Sequence, residues 1–270
     1  MFKPATPELV RRYYPDYHPE EFGWSHHTYP FEVHLIDKTF WPLVDRCLRP
    51  GDVAVDLGCG PGTIVSQLDA RGARAIGVDL KDSGFGRRPD LTLIKADARD
   101  LPLESDSVDL VTSRWMFEHL EDPSTVVREI RRVLKPGGHA LIVAPNVLHP
   151  GMMLSKILPT GVKQWLLRLN GIEENWVLPT YYRANTRHAL HRSFDSAGFR
   201  EVEFAYSADS AYWLFSGTLF RVAMAAGRVT ELLGLQRFRM QLVGLYQKLP
   251  EREPVSRIPE ESTPATPTRS

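Results

Sequence analysis

Val55-Asp-Leu-Gly-Cys-Gly-Pro-Gly62 is the stretch that decides the fold. A short apolar run precedes it and a helical pattern follows it, so it reads as the turn between a strand and a helix. Gly58, Gly60 and Gly62 stand at alternate positions. Glycine reaches backbone angles that residues with a Cβ resist, and it keeps side chains out of the way. Such a turn lets a ligand lie on bare backbone at the N-terminus of the next helix.

The reading extends outward from there. Arg74-Ala-Ile-Gly-Val-Asp79 reads as a second strand ending in an acid. Asp79 falls roughly 20 residues past the first glycine, where a carboxylate accepts from both ribose hydroxyls. A third strand, Leu91–Lys95, is followed at once by Ala96-Asp97, and an acid there can accept from an adenine amino group. The dinucleotide fingerprint is G-x-G-x-x-G; here the spacing is G-x-G-x-G, with Asp56 two residues before the first glycine. A carboxylate beside the turn repels phosphate and suits a cationic amino group. The spacing therefore favours S-adenosylmethionine over NAD, and the lack of a P-loop lysine argues against nucleoside triphosphate hydrolysis.

With these pieces in order, the chain resembles the class I S-adenosylmethionine-dependent methyltransferases. The matching text is VDLGCGPG (55–62), IGVD (76–79), KADARDLPLESDSVDLVTS (95–113) and EIRRVLKPGGHALIVAPN (129–146). The resemblance implies that the loop glycines contact the methionine and adenosine portions. It implies that Asp79 holds the ribose, that Asp97 reads adenine and that Asp56 acts near the methionine amino end. The cofactor set expected is Asp56, Gly58, Cys59, Gly60, Gly62, Asp79, Leu80, Asp97, Ala98 and Arg114, with no metal.

The elements along the chain agree with a doubly wound, mostly parallel seven-stranded α/β sheet. Strands are expected at 53–57, 74–78, 91–95, 108–113 and 139–144, and helices at 62–71, 115–120 and 123–134. Alternation of this kind implies a parallel sheet covered on both faces. Apolar spacing from His34 to Leu48 predicts a helix that ends at Arg49-Pro-Gly. Asn185-Thr186 is a helix N-cap and Gly198 a stop. Arg200–Ala205 and Gln241–Lys248 read as closing strands, with an apolar helical region over Ala211–Leu235 between them. Residues 1–48 are expected as an N-terminal lid, and 49–249 as the methyltransferase domain. Within that domain, 50–146 form the cofactor core and 147–184 an insertion after the fifth strand. The tail over 250–270 is all Pro, Ser, Thr and charge, the composition of disorder.

Composition narrows the class. The 270 residues carry 33 Lys and Arg against 33 Asp and Glu, so no overall field draws the chain to nucleic acid. Two cysteines, Cys47 and Cys59, make no disulfide framework. The opening residues lack a signal-peptide pattern, and no window reaches a membrane span. A cytoplasmic enzyme is expected.

The acceptor side is harder to read, because methyl transfer from an activated sulfonium mainly needs alignment and exclusion of water. Glu118 and His119, after the fourth strand, are the candidates for a base, since histidine titrates near neutrality. Trp115, Tyr181, Tyr182 and Arg183 are the substrate-side candidates, because insertions on such a scaffold set the acceptor. The Tyr13, Tyr14, Tyr17, Trp24, His26 and His27 cluster is read as part of the lid. The acceptor expected is small or amphiphilic, with oxygen favoured: a saccharide, lipid-linked glycan, quinone or secondary metabolite. Apolar stretches with basic residues, 152–169 and 213–245, suggest peripheral membrane contact, with core packing or a homodimer contact as the plainer reading. A non-catalytic cofactor binder and a nicotinamide-dependent oxidoreductase remain as alternatives.

Overall fold

The computed structural model describes residues 5–15, 28–82, 85–157, 179–207 and 216–250. In chain order the elements are α1 (Pro7–Arg11), α2 (Thr28–Cys47), β1 (Val53–Leu57), α3 (Thr63–Asp69), β2 (Arg74–Asp79), β3 (Thr92–Lys95), β4 (Val108–Arg114), α4 (Pro123–Val133) and β5 (Leu134–Pro145). They continue as α5 (Pro150–Ile157), α6 (Arg187–Ser196), β6 (Phe199–Ser207), α7 (Gly217–Leu232) and β7 (Gln241–Lys248). One seven-stranded sheet runs β3-β2-β1-β4-β5-β7-β6. The pairs among β1 to β5 are parallel. β7 runs antiparallel to both β5 and β6. The chain winds outward from β1 to β3 and returns to β4 on the other side of β1. The strand order thus reverses between β1 and β4, the place where open α/β sheets bind ligands.

The alternation of side chains along a strand sorts the core into two layers. Val55 and Leu57, Val111, and Ile142 and Ala144 face α4 and α6, packing with Val126, Ile130, Leu190 and Phe194. Ala54, Leu110, Leu141 and Val143 face the other way, against α2 and α3 through Ile36, Phe40, Val44, Val65 and Leu68. In the first layer Phe194 stacks on Tyr246, the ring centroids 4.1 Å apart. Burying side chains of this size contributes roughly 1.5–3 kcal/mol each.

Local chemistry starts and stops the helices. Asp122 accepts from the Ser124 N–H, with Pro123 at the first helical position of α4. Thr186 caps α6 through the Ala189 N–H, as the sequence predicts, and Gly198 at φ +78° follows the helix end.

Residues 28–47, within the segment expected as a helical lid, form a helix whose Ile36, Phe40 and Val44 pack in the core beside the sheet. One expectation is corrected. The helix expected over 115–120 is a single 3₁₀ turn, Phe117–His119. Trp115 sits at φ +56° and cannot start a helix. The Glu118 carbonyl accepts from the Tyr181 and Tyr182 N–H groups at 2.7 and 3.1 Å instead of continuing one. Residues 16–27, 158–178, 208–215 and 251–270 lie outside the described residues. They include Tyr17, Trp24, His26 and His27, most of the insertion, and the expected disordered tail.

Candidate active site

The turn after β1 is built from left-handed backbone. Gly58, Gly60 and Gly62 have φ of +73°, +49° and +84°, and the three have different neighbours. A Cβ on Gly62 would stand 2.8 Å from Leu91, and one on Gly58 3.0 Å from Met116. A Cβ on Gly60 would meet no protein atom within 4 Å. Gly58 and Gly62 are therefore glycine for the fold as well as for their backbone angles, whereas Gly60 borders open space.

Asp79, at the end of β2, ties this turn down. Its Oδ2 accepts from the Gly60 N–H and its Oδ1 from the Lys81 N–H, both at 2.9 Å. Each carboxylate oxygen can accept more than one hydrogen bond, so the side chain retains acceptor capacity. Leu80 beside it is 65% exposed, a large apolar side chain standing free at the strand end. Asp97 follows β3, and Ala98 is half-buried. The Arg99 guanidinium grips both Asp97 oxygens, at 2.6–3.1 Å, and holds that carboxyl below its ordinary range.

Asp56 is buried under the turn. Register pairs it with Thr112 of β4, and the Thr112 hydroxyl donates to Asp56 Oδ1 at 2.6 Å. Burial pushes the Asp56 carboxyl up to about 7, partly opposed by the Thr112 hydrogen bond and the Arg114 charge; the Asp79 charge adds to the rise. Cys59 is buried as well, its sulfur where a Gly77 Cβ would come within 2.8 Å. Burial pushes its thiol up to about 12, so Cys59 fills space and is no nucleophile at neutral pH.

Arg114, two residues beyond Thr112, faces the same side of the sheet. It donates to Asp37 of α2 at 2.8 Å and lies over the rings of Phe40 and Trp115, each centroid 5.1 Å away. It is buried, and with Asp37 it forms a structural tie between β4 and α2. Thr112 and Asp37 are partners that the sequence reading missed. Only the β1–β4 register and the docking of α2 bring them to Asp56 and Arg114.

The substrate-side candidates do come together. His119 Nδ1 lies 2.7 Å from the Pro179 carbonyl oxygen. A carbonyl only accepts, so Nδ1 carries a proton and donates it here. That Nε2 is 3.9 Å from Oε1 of the buried Glu118. Tyr181, half-exposed, and Tyr182, at φ +53°, are hung from the Glu118 carbonyl by their N–H groups. The Trp115 indole donates to Gln241 Oε1 at 3.3 Å. Arg183 follows Tyr182 and is exposed. Among the described residues no group of three His, Cys, Asp or Glu could hold a metal ion.

Comparison with known proteins agrees with this geometry. Residues 55–142 match the family model of the methyltransferase domain. An uncharacterized 37.1 kDa protein in transposon TN4556 of Streptomyces fradiae is 32% identical over 139 residues, 46% of this chain and 40% of that protein. The match thus spans less than half of that relative. A ubiquinone biosynthesis O-methyltransferase of Marinobacter nauticus is 28% identical over 189 residues, 63% of this chain and 73% of the relative. The solved structure of an S-adenosylmethionine-dependent methyltransferase from Mesorhizobium loti superposes with a TM-score of 0.50 at 22% identity, over 77% of this chain and 97% of that one. Residues 55–142 thus carry a methyltransferase domain, set in the seven-stranded α/β fold of solved S-adenosylmethionine-dependent methyltransferases.

Proposed function

We propose that this protein transfers a methyl group from S-adenosylmethionine to an oxygen of a small or amphiphilic acceptor. The observation that carries the reading is Gly60, whose missing side chain faces open space while its N–H is fixed by Asp79. A cradle that a Cβ would fill, beside a carboxylate with acceptor capacity to spare, fits a nucleoside with a cationic tail. S-adenosylmethionine supplies there a methyl group already activated by its sulfonium charge.

The chain's own residues then divide the work. Asp79 accepts the ribose hydroxyls, and Leu80 offers an apolar surface to the base. Asp97 accepts the adenine amino group, sharing its oxygens with Arg99, while Ala98 borders the base. Gly58, Gly60 and Gly62 present bare backbone, with Cys59 packing the turn from beneath. Asp56 acts on the amino end from below the turn. Arg114 acts indirectly, by fixing the end of β4.

On the acceptor side His119 Nε2 removes a hydroxyl proton, its ring oriented by the Pro179 carbonyl and flanked by Glu118. Trp115, Tyr181, Tyr182 and Arg183 form the wall that selects the acceptor. The similarity to a protein named as a ubiquinone biosynthesis O-methyltransferase favours oxygen and an amphiphilic acceptor. Calorimetric titration with S-adenosylmethionine and its demethylated product tests the first half, and heat with thermal protection is expected. Tritiated methyl incorporation into lipid and aqueous extracts tests the second. No heat with either compound overturns the reading, and binding without incorporation favours a non-catalytic binder.

A further inference from the structure

β6 pairs antiparallel to β7, which pairs antiparallel to β5, so β6 runs parallel to β5 and ends at the sheet edge that carries the acids. α7 leaves from that edge and β7 returns to it. Along α7 and just past it, the large apolar side chains Val222, Val229, Leu232 and Leu233 are 60%, 52%, 86% and 65% exposed. Their spacing puts Val222 and Val229 on one stripe, which the small Ala225 and Ala226 extend. Single exposed apolar residues are ordinary, but a contiguous stripe on one helix marks a contact surface.

The charge around the stripe is one-sided. Arg221, Arg228 and Arg237 are exposed, and Glu231 is the one carboxylate between Ser216 and Pro250. That carboxylate faces Arg239 at 3.6 Å. The stripe also borders a cleft of about 280 Å³ between α7 and the start of α5, lined by Leu219, Val222, Ala223, Ala226, Gly227 and Phe238. A Cβ on Gly227 would meet nothing within 4 Å, so the cleft has room for an alkyl chain. His149 at its rim is held neutral, because burial lowers its imidazole.

We infer that α7 is an interfacial helix that seats the ligand edge of the sheet on an anionic lipid surface. Its apolar stripe enters the headgroup–acyl boundary, and Arg221, Arg228 and Arg237 meet the lipid phosphates. The inference rests on the reading of an amphiphilic acceptor and names where that acceptor is met: at a bilayer lying over the carboxyl ends of the strands. A second copy of the chain fits less well, since three exposed guanidiniums around the stripe would face their own counterparts.

The test is flotation of the full chain with vesicles of phosphatidylcholine, with and without roughly a third phosphatidylglycerol. At low salt the chain floats with the anionic vesicles and stays behind with the neutral ones. Leu232→Asp with Leu233→Asp, and separately Arg221→Gln with Arg237→Gln, each lower the bound fraction about tenfold. These side chains are exposed, so the fold and the calorimetric affinity for S-adenosylmethionine stay unchanged. A wild-type chain that floats with neither vesicle overturns the inference. So does a dimer, seen by light scattering, that the two leucine substitutions dissociate. Failure to bind S-adenosylmethionine counts against the methyl-transfer reading and is read independently of flotation.

Discussion

The Gly60 N–H donates to Asp79 Oδ2 at 2.9 Å, joining the turn after β1 to the end of β2 across 19 residues. One carboxylate thus orders the bare backbone and stands beside the space that this backbone leaves. Asp79→Ala removes a charge-assisted hydrogen bond from the turn and, on the proposed reading, those to the ribose. Calorimetry should show cofactor binding weaker by about 1–3 kcal/mol. Unchanged affinity would remove Asp79 from the site.

Gly60→Val should be more severe. A β-branched residue at φ +49° is strained, at about 1–3 kcal/mol, and its side chain would enter the open space beside the turn. Thermal unfolding should show a modest loss of stability, and titration no detectable cofactor binding. Gly86→Ala, at a position whose Cβ also meets nothing, is the control, expected within about 0.5 kcal/mol of the parent.

Asp56 sets a pH dependence. Burial raises its carboxyl from 3.8 to about 7, so in that window the folded chain binds the proton more tightly than the unfolded chain. Its contribution to stability is fully present below 3.8 and is lost as pH rises to about 7. Asp56→Asn keeps an oxygen to accept from Thr112 and removes this loss. The variant should melt higher than the parent at pH 8 and about equally at pH 4, and a parallel pair of melting curves across pH would refute the assignment.

His149 acts in the opposite direction. Burial lowers its imidazole from 6.5 to about 4, and the Gly151 N–H donates to its Nδ1 at 3.2 Å, which requires the neutral ring. Its contribution is present above 6.5 and is lost as pH falls toward 4. His149→Gln should flatten the acid side of the stability profile, measured as melting temperature between pH 7 and pH 4.

His119→Ala should lower methyl incorporation by about 10²–10⁴-fold, the usual contribution of a positioned base. Affinity for S-adenosylmethionine should be unchanged, because Nδ1 is engaged by the Pro179 carbonyl and not by the glycine turn. Incorporation at the parental rate would leave His119 as a packing residue.

How far the sequence could be read varies with the range of the interaction. The β1 turn, the acids ending β2 and β3, the Thr186 cap and the Gly198 stop follow from neighbours in the chain, and they stand where the sequence puts them. The helix expected over 115–120 failed, because its apolar pattern could not reveal a left-handed Trp115 or a Glu118 carbonyl taken by Tyr181 and Tyr182. Arg114 stood in the sequence only as a member of the expected cofactor set, and its partner Asp37 comes from α2 across 77 residues.

By itself the sequence determined the winding of the sheet and the bare turn at its switch point, since glycine backbone freedom and the two-residue period of strands are local properties. Tertiary structure alone decided that Asp56 is buried on Thr112, that α2 packs its Ile36, Phe40 and Val44 against the sheet and that His119 meets the Pro179 carbonyl. Those depend on strand register and helix docking, where residues distant in the chain become neighbours and the local environment resets their charge.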